Sequence, residues 1–212
     1  MELEPIKQRV MERFNSTKFL TNAIGATAFV AVSALLLGSN GALAHGSAAG
    51  GGVSGFSHPL IGIDHLLMLM AVGTAAALIS IELLLWAFVG AIFGAGLGLY
   101  GMNISFMEIL AAISISAVGL LMLFATRFKG RLEFGKFRLI SGLVVSSAVG
   151  IHALLHGLEA PQDSNSLIWW SGALLSSTLV CGASYLICKK FPVLSSKKAA
   201  FIYLLAGAAF II

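Results

Sequence analysis

Apolar runs of about twenty residues recur along this chain, each long enough to cross the roughly 30 Å hydrocarbon core of a bilayer as a helix. They occupy about 19–38, 59–80, 83–101, 105–125, 138–158 and 167–188, with a shorter run at about 199–212. Lipid offers the backbone no hydrogen-bonding partner, so such runs fold as helices even where β-branched residues are frequent. Only 10% of the residues are charged, against about a quarter in soluble domains, too few to clothe a water-facing globule. The predicted fold is all-α: a polytopic transmembrane helical bundle of six or seven spans.

Charge placement orients the bundle. The 13 Lys and Arg residues fall in four places: Lys7, Arg9, Arg13 and Lys18; Arg127, Lys129, Arg131, Lys136 and Arg138; Lys189–Lys190; and Lys197–Lys198. Threading the spans in alternation brings all of them to one side, which the positive-inside rule makes cytoplasmic. The opposite loops, 39–58 and 159–166, hold no Lys or Arg. An integral protein of an inner or plasma membrane is expected, and its basic balance reports orientation rather than nucleic acid.

Residues 1–44 form a basic N-terminus followed by an apolar segment that reads either as a first span or as a signal peptide. Ala42-Leu43-Ala44 matches the small-residue pattern of a cleavage site. Residues 45–58, Gly-rich around Gly50-Gly51-Gly52, read as an exoplasmic linker, and 59–212 as the bundle. Gly90, Gly94 and Gly98 recur at the four-residue spacing that lets membrane helices approach closely. Cys181 and Cys188 stand seven apart on one expected helix, about 10 Å of rise, too far to bridge.

Two nucleotide-binding patterns fail on context. Gly96 to Gly101 fits G-x-G-x-x-G inside an apolar span with no preceding strand. Gly130 to Lys136 fits G-x-x-x-x-G-K, but Phe137 stands where a Ser or Thr would hold magnesium. No nucleotide partner is expected.

The chemistry concentrates in the histidines, all five of which fall on the side opposite the Lys and Arg residues. His58-Pro59 opens the 59–80 run, with Pro59 suited to the first helical position and His58 to the N-cap. His58 and His65, seven apart, would share a face of that helix; Asp64 lies beside it and Met68 one turn below. Asp64 and His65 sit inside the apolar run, where an unpartnered charge costs several kcal/mol. At the far end of the 138–158 run, His152, His156 and Glu159 form one stripe at i, i+4 and i+7, and two imidazoles one turn apart can chelate one ion. The topology brings both clusters to the exoplasmic level. His58, Asp64, His65, His152, His156 and Glu159 are thus the candidate metal ligands, with Glu159 at the rim. Such N and O donors suit nickel, cobalt or zinc. Each histidine alone also fits a packing role, Met68 a core role, and Glu108 and Glu82 surface positions; the joint pattern carries the metal reading.

The run His58-Pro59-x-x-Gly62-x-Asp64-His65-Leu66-Leu67, continued through Ala71-Val72-Gly73, resembles the HupE/UreJ family, as does His152-x-x-x-His156-Gly157-x-Glu159-x-Pro161. Ala153 and Leu155 depart from the second motif, where that family carries smaller residues. The resemblance implies a secondary permease, not an enzyme, associated with nickel-dependent hydrogenases and ureases. Ni²⁺ or Co²⁺ would be the transported substrate, no organic cofactor is implied, and His45 would assist capture from its linker. Neutral imidazole binds metal, so capture should weaken below about pH 6. Two other classes fit the same ligands: an intramembrane zinc-dependent hydrolase, and a metal-binding accessory or sensor protein.

Overall fold

The computed structural model describes residues 51–102, 104–127, 134–161, 163 and 166–211. The apolar run 19–38, the cleavage site read at 42–44 and His45 lie outside the described residues. Among the described residues every regular element is helical. The order is α1 (Gly52–Ile61), α2 (Ile63–Leu78), α3 (Glu82–Leu99), α4 (Met107–Arg127), α5 (Phe134–Glu159), α6 (Ser166–Lys190), a 3-10 turn (Pro192–Ser195) and α7 (Lys197–Ala209).

The segment 59–80, expected as one straight span, is broken at Gly62. Gly62 takes an extended conformation (φ −68°, ψ 110°), and the axes of α1 and α2 differ by 80°. Helix α1 begins at Gly52, inside the stretch expected as a linker, so His58 is not an N-cap. It lies in the last turn of α1, whose N-cap is Gly51 at a φ of 142°, a region that favours glycine. Pro59 is inside the helix rather than at its first position. The reason is packing. A Cβ on Gly55 would run into the Trp169 carbonyl of α6, and one on Gly172 into the Gly52 carbonyl. The glycines here let two helix backbones touch, and that contact holds α1 on α6.

The same device joins other pairs. In lipid, helices associate through close packing rather than water exclusion, so small residues mark the seams. A Cβ on Gly90, Gly94 or Gly98 of α3 would strike the backbone of α5 at Ser146, Gly150 and Leu154 respectively. The four-residue glycine spacing is a helix seam. Helices α4 and α7 meet at Gly119 and Gly207, where Ser116 Oγ donates to the Leu204 carbonyl at 2.9 Å. Helix α2 is the hub: Met68, Val72, Ala75 and Ala76 are buried with Ile115, Val118 and Met122 of α4 and Val145 of α5. Thr74 Oγ1 donates to the Met70 carbonyl at 2.8 Å and lies 3.1 Å from Tyr203 Oη of α7. At the opposite end from the histidines, Arg138 of α5 pairs with Glu82 at the start of α3.

Outward faces are apolar, as in Leu85, Phe88, Ile92 and Phe93 of α3 and Leu139, Ile140 and Leu143 of α5. Four helices, α3 to α6, are long and apolar enough to cross a membrane, and the bent α1–α2 pair makes a fifth if taken as one span. Helix α7 has 13 residues, about 20 Å of rise, short of the roughly 30 Å core. The described residues therefore carry four or five candidate spans, and the expected six or seven are not reached among them. This is an integral membrane protein built as a helical bundle.

Candidate metal centre

Three helix ends bring the donors together. The last turn of α1 contributes His58 and the first turn of α2 contributes Asp64, followed by His65. The end of α5 contributes His152, His156 and Glu159. The bend at Gly62 turns α1 back so that His58 and His65 face the same residue of α5. Ring centroids lie 4.7 Å apart for His58 and His156, and 4.2 Å for His65 and His156. Gly62 is needed for that geometry, since a Cβ there would sit 2.5 Å from Cδ2 of the His65 ring.

Polar contacts tie the group. His58 Nε2 and His156 Nδ1 are 2.8 Å apart, so one ring nitrogen carries the proton and the other accepts it. His58 Nε2 lies 3.6 Å from Glu159 Oε2, and Asp64 Oδ2 lies 3.1 Å from His65 Nδ1. Asp64 stands in the first turn of α2, where the helix dipole favours an anion. His152 is held from behind: its Nδ1 is 3.2 Å from Ser114 Oγ and 3.4 Å from the Ala148 carbonyl. Its Nε2 is buried with no hydrogen-bond partner among the described residues.

Two donor trios result. His58, His65 and His156 form one, and Asp64, His65 and His152 the other; within each, one ligand atom per residue lies within 4.8 Å of the others. His65 belongs to both. The second trio is the more enclosed, with His65 and His152 buried. Glu159 is near His58 but in neither trio.

The surroundings are apolar. Trp169 of α6, almost wholly buried, stacks at a tilt 5.2 Å from the His58 ring. A cavity of about 440 Å³ reaches His65, His152 and His156 and is otherwise walled by residues such as Met68, Phe88 and Trp170. Met68 is core, with 1% of its surface exposed. Glu108 is exposed and outside both trios.

Ser114 and Trp169 are not among the residues that the sequence singles out. A serine inside an apolar helix carries no mark distinguishing a histidine partner from a packing residue. Nothing in the spacing of Trp169-Trp170 points to His58.

Comparison with known proteins agrees with the motifs. The family described as "HupE / UreJ protein" matches residues 31–211. Protein HupE of Rhizobium leguminosarum bv. viciae is 28% identical over 136 residues, which cover 62% of this chain and 67% of that protein. No solved structure matches. With the match running across nearly all of the bundle, the chain belongs to the HupE/UreJ family.

Proposed function

We propose that this protein is a secondary permease for a divalent transition metal, Ni²⁺ first and Co²⁺ second, with its donors at the exoplasmic mouth of the bundle. The observation that carries the proposal is the pair of donor trios sharing His65. Metal–imidazole bonds of about 2.0–2.1 Å separate donor atoms on one ion by about 3–4 Å, so donors within 4.8 Å need only small side-chain movements to close on an ion. Imidazole with one carboxylate suits nickel and cobalt, and the two thiols, on Cys181 and Cys188, belong to neither trio.

The outer trio captures. Glu159 beside His58 adds negative charge at the rim, and an incoming ion takes the place of the His58–His156 hydrogen bond, the proton of the donating ring moving to that ring's other nitrogen. His65 then passes the ion inward by exchanging His58 and His156 for Asp64 and His152. The carboxylate offsets part of the ion's charge. Below this level Met68 and Val72 are buried in the core, and release inward proceeds by rearrangement of the helices, as in transporters whose sites lie at broken helices. The break at Gly62 stands beside the site.

Flux of Ni²⁺ and Co²⁺ into proteoliposomes containing the purified full chain tests this reading. Saturable entry exceeding that into protein-free vesicles supports it; tight binding with no flux would instead favour a sensor or accessory role.

A further inference from the structure

We infer that Ser114 of α4 is a positioning residue for the inner trio: it fixes His152 in the tautomer whose Nε2 lone pair is free for the metal. This rests on the transport reading above. The argument is one of proton counting. The Ser114 hydroxyl has a single proton, and its Oγ lies 2.6 Å from the Ala111 carbonyl, which can only accept. Ser114 Oγ therefore accepts at its other contact, 3.2 Å from His152 Nδ1, and Nδ1 is the protonated nitrogen. The Ala148 carbonyl, 3.4 Å from the same Nδ1, independently demands a proton there. A neutral imidazole carries one proton, so Nε2 bears the lone pair. Nε2 is also the nitrogen left without a hydrogen bond among the described residues.

Both residues are 4% exposed, so the contact is buried between α4 and α5. A ring held by one 3.4 Å contact to its own helix would be free to turn; the shorter contact from α4 fixes it. Partners that hold the far nitrogen of a metal-binding histidine typically change metal affinity by about 10- to 100-fold. Because Ser114 is on α4 and His152 on α5, sliding of one helix on the other breaks the contact.

The test uses the purified full chain in detergent, titrated with Co²⁺ and followed by its visible ligand-field bands. Ser114→Ala is expected to weaken Co²⁺ binding about tenfold and alter the band pattern. Ser114→Thr, which keeps the hydroxyl, restores both. Ser141→Ala is the control, because Ser141 is also buried and bonds to the Phe137 carbonyl; it leaves the titration unchanged. Independently of any variant at Ser114, ¹⁵N NMR of histidine-labelled wild type, assigned with His152→Asn, reads the tautomer directly. Protonation at Nδ1 supports the inference and protonation at Nε2 overturns it. Wild-type affinity in Ser114→Ala overturns the positioning role alone, whereas a wild type that binds neither Co²⁺ nor, in a parallel calorimetric titration, Ni²⁺ overturns the transport reading with it.

Discussion

His58 Nε2 lies 2.8 Å from His156 Nδ1, although the two residues stand 98 positions apart in the chain. The contact joins the end of α1 to the end of α5 and closes the outer trio. It exists because the chain breaks at Gly62 and because glycines let α1 lie on α6. The site is thus a product of helix seams as much as of ligand identity, and the consequences can be separated by experiment.

The two trios predict different kinetic defects. His58→Ala removes a capture ligand only, so the metal concentration for half-maximal uptake should rise by more than the roughly tenfold that loss of a ligand's hydrogen-bond partner alone costs, while the maximal rate is largely kept. His152→Ala removes an inner ligand and should lower the maximal rate. Concentration dependence of uptake in expressing cells distinguishes them; identical defects would contradict a sequential passage.

Seating of α1 should matter to the metal more than to the bundle. Gly172→Ala drives a methyl group into the Gly52 carbonyl and displaces the helix that carries His58. Metal binding should weaken about tenfold, while melting in detergent changes much less, because α2 to α5 keep their contacts.

The α3–α5 seam predicts the converse. Gly94→Leu collides with the Gly150 backbone, and overpacking of this kind costs about 1–3 kcal/mol or more, so the melting temperature and yield should fall sharply. Gly96, where an added methyl group would meet nothing within 4 Å, accepts Ala without loss. Fluorescence-detected melting of the two variants makes the comparison.

The candidate site residues were legible in the sequence and much of their framing was not. Asp64, His65 and His152 stand out because polar groups inside apolar runs are costly, and a residue held at such cost invites a chemical reason. The seven-residue spacing of His58 and His65 suggests one face of a continuous helix. The two rings do meet, 5.6 Å apart, but across a break. A Pro followed three residues later by Gly fits both a helix start and a helix end, and only the docking of α1 on α6 decides between them. In the sequence Gly52 and Gly55 read as flexibility, because a missing Cβ gives both freedom and close approach; the facing backbone that settles the matter is far away in the chain, at Trp169 and Gly172. The Gly90, Gly94 and Gly98 spacing is readable because a repeat every four residues is already a helix face. Ser114 is invisible there because its role comes wholly from the helix opposite.

At the far end of the bundle, the pairing of Glu82 with Arg138 is half exposed and should matter little. Pairs of this kind contribute about 0–1 kcal/mol. Glu82→Gln should leave metal uptake at wild-type level and shift melting only slightly.

The central claim is that a metal crosses through a site in which His65 serves both trios, and uptake of radiolabelled Ni²⁺ and Co²⁺ tests it most directly. Cells expressing wild type, His65→Ala and His156→Ala at matched surface levels should show saturable uptake of at least one metal by the wild type. His65→Ala should reduce it to the empty-vector level and His156→Ala should reduce it strongly. Uptake by His65→Ala at the wild-type rate, or wild-type uptake no better than the empty vector, would contradict the account.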